Sequence, residues 1–194
     1  MGNTPPISVS EAEVTHMRSS HMALLRGTYR AAMPEDRWLT LLSYLPTDTR
    51  ELLDQELDPQ GWLPVKHTIA LRDAFLRVGL VSPFAVRGQL TAEIFLNSET
   101  GQRLLGGGDP MGTVTHFADV LAELQRGGRL LVEEVRPGRA RWTFWGLVPF
   151  PEYSKDFGRA FFERLLQLQG APQARVRYLP PEPGSFDHRF VADW

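Results

Sequence analysis

The sequence predicts an α+β domain in which several helices pack on one face of a small antiparallel sheet. Three observations predict it. Helix-forming runs, with apolar residues at helical spacing and Pro or Gly punctuation between them, fill the first half of the chain. A turn signal, Arg136-Pro137-Gly138-Arg139, then separates two runs rich in β-branched and aromatic residues. One more helical run and two short strand-like runs follow.

Residues 1–20 are small and polar, with Pro5-Pro6 and few apolar anchors, so a disordered or loosely docked tail is expected ahead of a single domain over 21–194. Residues 24–33 and 34–45 read as two helices. The second has Pro34 in its first turn, Glu35 and Asp36 near its positive end, and Trp38, Leu41, Leu42 and Leu45 on one face. A short helix over 48–56 follows the Pro46 break, and Asp58-Pro59-Gln60-Gly61 reads as a turn. In the helix expected over 64–78, Lys66, Asp73 and Arg77 hold one narrow face and the remaining arc is apolar, which predicts the most buried element. Residues 84–96 and 99–105 read as one broken helical region.

The clearest helix starts at Asp109-Pro110, a capping carboxylate followed by a residue that needs no donor. Val114, Phe117, Ala118, Leu121 and Leu124 recur along one face of it, and Gly127-Gly128 supplies a left-handed exit. In the hairpin, Ala140, Trp142, Phe144 and Gly146 alternate with Arg141, Thr143 and Trp145, so one face is buried. Ser154 is expected to cap a helix reaching Gln169, with Phe157, Ala160, Phe161, Leu165 and Leu168 on its core face. Strands are expected over 175–179 and 186–191, on either side of a Pro-rich turn at 180–184.

Composition narrows the function. With 21 basic and 23 acidic residues in 194, the net charge of -2 offers no global field for nucleic acid or anionic membrane. The chain has no cysteine, which removes disulfides, thiolate nucleophiles and cysteine-ligated metal. No apolar run reaches bilayer length and the start lacks a signal-peptide pattern, so a soluble cytoplasmic protein is expected.

Arg26-Gly27-Thr28-Tyr29, Leu45-Pro46, Gly61-Trp62-Leu63-Pro64, Gly108-Asp109-Pro110, Gly138-Arg139-Ala140 and Gly170-Ala171, taken in that order, are similar to a paralogous protein family abundant in myxobacteria. That family resembles the superfamily of haem nitric-oxide-binding (H-NOX), four-vinyl-reductase and TRAPP-like proteins. The resemblance covers roughly residues 24–178 and consists of turns and caps. It implies an α+β sensor or scaffold domain that binds small molecules, lipids or protein partners, often as a homodimer. The Tyr-x-Ser-x-Arg motif of haem members and the cysteines of vinyl-reductase members are absent, so no cofactor is expected, with haem held by His67 or His116 as the alternative.

An apolar pocket is expected between the 64–78 helix, the central helix and the sheet, lined by His67, Phe75, Phe117, Trp142 and Phe144. A histidine on an apolar helical arc is more often a satisfied core residue than a ligand, and His67 is weighed accordingly. His116, Asp119 and Glu123 share the polar face of the central helix but lack the paired spacing of a metal site. The glycine run 106–108 lacks the lysine of a phosphate loop and reads as the start of a helix. Arg141, Arg175 and Arg177, with Trp145 and Arg189 nearby on the exposed sheet face, are the candidate anion or single-stranded nucleic-acid contacts; pairing with Glu133 and Glu134 is the simpler reading. Ser154, Ser185, Asp187 and His188 have the residue types of a hydrolase triad without a nucleophile elbow, so catalysis is the weaker expectation. The function expected is a non-catalytic binding or interaction domain that senses a small apolar or anionic ligand or docks a signalling partner.

Overall fold

Beginning at the N-terminal side, the first described element is a strand. The computed structural model describes residues 14–31, 33–79, 84–105, 107–145, 154–180 and 187–194, and these fall into two compact units. One comprises Thr15–Val81 with Leu124–Arg126 and is called the helical unit; the other holds the remaining described residues and is called the sheet unit.

The helical unit opens with β1 (His16–Arg18) and continues through α1 (Ser19–Ala31), α2 (Glu35–Ser43), α3 (Thr47–Leu53), β2 (Trp62–Pro64) and α4 (Val65–Arg77), with β3 (Gln125–Arg126) returning to it. The strands pair antiparallel in the order β2-β1-β3. β1 and the start of α1 lie within the stretch expected as a tail. Runs of two or three residues hold few ladder bonds, and side chains make up the difference. Arg18 and Arg126 place their guanidinium groups 4.1 and 4.4 Å from the centre of the Trp62 ring, a cation–π stack linking all three strands. Ser19 donates from its hydroxyl to the carbonyls of Asp58 and Gly61, tying the start of α1 to the turn before β2.

Helix bounds follow the local signals. Pro34, Pro46 and Pro64 precede α2, α3 and α4 with φ of -63°, -54° and -52°, where a missing donor does no harm. The core of this unit joins Met22, Leu25 and Tyr29 of α1 to Trp38 and Leu41 of α2, Leu53 of α3 and Leu71, Ala74 and Phe75 of α4. Tyr29 and Phe75 pack with ring centres 4.0 Å apart and planes tilted by 31°. Leu42, expected on the buried face, is only partly covered.

The sheet unit contains α5 (Phe84–Leu96), α6 (Glu99–Leu105), most of α7 (Pro110–Leu124), β4 (Arg129–Arg136), β5 (Arg139–Trp145), α8 (Arg159–Leu168), β6 (Arg175–Leu179) and β7 (His188–Asp193). Its four strands are antiparallel in the order β4-β5-β7-β6. At the start of α7, Asp109 accepts from the backbone N–H groups of Met111 (3.1 Å) and Gly112 (2.8 Å), the cap that the sequence announces. After β3 the chain turns through Gly127 and Gly128 at φ of 76° and 65°. The turn expected at 180–184, together with Gly146, Ser185 and Phe186, lies outside the described residues.

α8 departs from expectation in one respect. Ser154–Gly158 forms a π-helical turn rather than a capped start, and α8 begins at Arg159. A π turn inserts an extra residue per turn and so rotates the face that follows. Phe162 and Leu166 are buried with Ala160, Phe161 and Leu165, while Leu168, expected in the core, is exposed. Among the described residues no helix is long and apolar enough to cross a membrane.

One buried base of the helical unit titrates within an accessible range. His21 on α1 has its Nε2 buried without a partner, and burial, with the Arg72 guanidinium of α4 as a second cause, holds its pKa at about 4. A native pKa below the unfolded value means that the unfolded chain binds the proton first. Stability is therefore expected to be complete above about pH 6.5 and to fall towards pH 4, by on the order of 2 kcal/mol for a partly exposed ring. Denaturant titrations of the wild type and His21→Gln at pH 7 and pH 4.5 check this; the variant is expected to lose less stability than the wild type over that interval.

Candidate functional site

α8 lies on the inner face of the four-stranded sheet, and Phe162 is its point of contact. Register puts Trp142 of β5 opposite Phe190 of β7, and Phe144 opposite His188. Phe162 meets Trp142 edge-on at 5.0 Å, Phe144 at 5.5 Å and Phe190 at 5.5 Å. From the helical side Phe117 of α7 meets the same ring edge-on at 4.9 Å. Phe117 also contacts Phe161 at 5.8 Å and Phe95 of α5 at 6.3 Å.

Beside this cluster is a cavity of about 10 Å³, lined by Thr113, Val114, Phe117, Leu130, Trp142, Phe162, Leu165 and Leu166. That is room for about one water-sized molecule. The Thr113 hydroxyl is already committed, donating to the Asp109 carbonyl at 2.8 Å. Trp142 is buried, and its indole N–H has no acceptor among the described residues. An unpaired buried donor costs about 1–3 kcal/mol, and the space beside the Trp142 ring is itself wholly apolar.

Of the five residues expected to line a pocket, Phe117, Trp142 and Phe144 converge on Phe162 inside the sheet unit. His67 and Phe75 belong to the helical unit. There Phe75 packs on Tyr29, and His67 is buried with Nδ1 2.9 Å from the Thr49 hydroxyl. Burial is the main influence lowering the pKa of His67, Asp48 opposes it, and Lys66 adds to it. Asp48 itself is held low chiefly by its 2.6 Å hydrogen bond from Lys66. The sequence reading missed Phe162, and the adjacent pair Phe161-Phe162 was its one signal. Of this pair Phe161 reaches Phe95 and Phe162 reaches the sheet, and both meet Phe117.

The remaining candidates are engaged elsewhere. Arg141 faces Glu134 at 3.3 Å and Glu133 at 3.6 Å, and Thr143 donates to Glu133 at 2.6 Å. A bulge between Val132 and Glu134 puts both carboxylates within reach. Arg177 pairs with Asp193 at 2.9 Å, Arg175 comes within 4.0 Å of Glu163, and Arg129 lies 4.1 Å over Trp145. His116 faces Asp119 at 3.5 Å on the exposed side of α7, and Glu123 pairs with Arg103. The described residues hold no group of three or more metal-ligating side chains. His188, buried and with its pKa lowered chiefly by that burial, lies 3.2 Å from the Tyr178 hydroxyl; Ser154 is in the π turn.

With this geometry in place, comparison with known proteins establishes the fold. No protein-family model matches the sequence, and no curated protein matches it. Solved structures do. The ferrous, unliganded H-NOX protein of K. algicida superposes with a TM-score of 0.63 at 9% identity, covering 91% of this chain and 96% of that one. An alanine-to-glycine variant of the same protein gives 0.64 at 10% identity over the same shares. A third structure, described under modulation of haem redox potential by porphyrin distortion, gives 0.62 at 10% identity over 92% of this chain and all of that one. The fold is H-NOX-like α+β.

These likenesses overturn the expectation that no cofactor belongs here, since the fold is shared with proteins described by their ferrous iron and their haem. The ring cluster itself does not fit a porphyrin. Phe117, Phe162, Trp142 and Phe144 fill that interior down to about 10 Å³. Removing the ring that all the others touch is expected to be costly. Phe162→Ala should destabilise by about 3 to 5 kcal/mol, measurable by urea unfolding, whereas Leu168→Ala on the same helix should cost under about 1 kcal/mol.

Proposed function

We propose that this chain is a cytoplasmic sensor domain that binds a small, mainly apolar molecule at the Phe162 ring cluster and catalyses no reaction on it. The observation that carries the reading is a small apolar cavity lined in part by the Trp142 ring, whose buried N–H has no acceptor among the described residues. A water molecule there would find too few polar partners to be well held. A small ligand with one acceptor atom meets both demands at once, placing its apolar surface on Phe117 and Leu130 and its acceptor at Trp142. The H-NOX-like fold supports a sensing role. In this reading the domain works as a homodimer, so that a change at one cluster reaches a second copy.

The test is native mass spectrometry on gently purified protein, with an absorption spectrum of the same sample. Excess mass that leaves on denaturation is expected. Trp142→Phe keeps an aromatic ring, though a smaller one, and removes the donor, so retention should weaken about three- to tenfold in a folded variant. Phe117→Ala should lose the ligand and about 3 kcal/mol of stability. Full retention in both variants would reject this site.

A second reading, haem as the bound group, is favoured by the fold likeness and opposed by the filled ring cluster. Titration with haemin separates the two. A saturable Soret shift at one equivalent supports haem, and its absence leaves the apolar-ligand reading.

A further inference from the structure

The cavity beside Phe162 is closed unevenly. The walls that α7, α8 and β5 supply are at most 7% exposed, Phe162 being the most open of them. Leu130 of β4 is the exception: among the described residues that line the space, it alone keeps part of its surface in water. Strand order explains this. β5 and β7 are interior strands of the order β4-β5-β7-β6, and their inward residues, such as Ala140, Trp142, Phe144 and Phe190, are buried. β4 is an edge strand. Register sets its Leu130 and Val132 opposite Phe144 and Trp142 on the same inner face, yet both are only part-buried. The inner face is thus covered over β5 and β7 and only in part over β4.

The routes out of the cavity differ accordingly. A molecule leaving between the buried walls has to part α8 from the sheet or from α7, against the contacts that Phe162 makes with Trp142 and Phe117. Motions that separate packed elements take microseconds to seconds. Past Leu130 a side-chain rotation is enough, and part-exposed side chains change rotamer in picoseconds to nanoseconds. The backbone need not move: Arg129, Leu130, Leu131 and Val132 pair residue for residue with β5, which fixes the Leu130 Cα and leaves its side chain as the moving part. Chamber and threshold are alike in chemistry. The lining is apolar throughout, the Thr113 hydroxyl being turned to the Asp109 carbonyl, so an ion entering there would shed its hydration with nothing to replace it.

We infer that Leu130 is the entrance to this site and sets what it admits: an uncharged, mainly apolar molecule passes over the β4 edge by displacing the Leu130 side chain, and the bulk of that side chain limits its width. The inference rests on the apolar-ligand reading given above and adds the route and the residue that controls it.

Xenon is the probe, an uncharged atom that dry apolar cavities take up. Leu130→Ala and Leu165→Ala remove the same atoms from the same cavity, one at the β4 edge and one at a position 0% exposed. The experiment is xenon NMR on the full chain, reading uptake and the exchange rate between bound and free gas. Both variants are expected to bind xenon more tightly than the wild type, because both enlarge the space. Leu130→Ala is expected to exchange it at least about tenfold faster than Leu165→Ala, since the edge is open in the first and the packed walls must still part in the second. Val114→Ala, at another buried wall, takes the place of Leu165→Ala if that variant does not fold. Leu131→Ala, next along β4 but 42% exposed on the outer face, is expected to behave as the wild type. Equal exchange rates in Leu130→Ala and the buried-wall variant would overturn the entrance and leave the ligand site standing. No uptake of xenon by either would overturn both.

Discussion

The sheet unit depends on a helix that must bury two flanks at once. α8 turns Phe161 towards α5 and Phe162 towards the sheet, and the two rings share Phe117 of α7 between them. Both conditions hold only if α5 can approach the backbone of α8, and Gly88 makes that approach sterically open. The π turn ahead of α8 sets the rotation that puts Phe162, rather than Leu168, on the sheet. Ring pairs of this kind stabilise by about 0.5–1.5 kcal/mol beyond their buried area, and Phe162 makes several.

Charge is arranged to leave this interior dry. On the outer face of the sheet, Arg136, Arg139 and Arg141 meet Glu133, Glu134 and Asp193 in a chain of contacts between 2.9 and 3.7 Å. Exposed pairs of this sort stabilise by at most about 1 kcal/mol each. Thr143 and Val191, on the same outer face, are buried, and Thr143 donates to Glu133. The guanidinium groups that sequence alone offers to an anion thus already face carboxylates. Within the helical unit, His21 and His67 are held towards their neutral forms chiefly by burial, which keeps an apolar core free of uncompensated charge.

Fold and site carry different amounts of meaning. An H-NOX-like architecture at about 10% identity speaks for how the chain is built and not for what it binds. The ring cluster speaks for chemistry through an apolar wall and a small space, with an unpaired donor on one of its rings. Its core and its candidate site share the same residues. In the proposed reading, a ligand taken up there would repack the contacts that hold α8 to the sheet.

Local rules made part of this legible in the sequence. Asp109-Pro110 and the turn at Pro137-Gly138 announced their elements because caps and tight turns are set by a few adjacent residues, whereas Gly127-Gly128, expected as the exit of α7, turns the chain after β3 instead. The alternation of Ala140, Trp142 and Phe144 exposed the inner face of the sheet for the same reason, since period two is a property of the strand itself. Tertiary structure alone decided the rest. β1, β2 and β3 are too short to show any period, and they exist because His16 meets Pro64 on one side and Arg126 on the other. Phe162 became central and Leu168 peripheral through a π turn that helical spacing cannot foresee. Trp142 was legible as a core residue, but its unpaired N–H was not, because an absent acceptor is a property of everything packed around it.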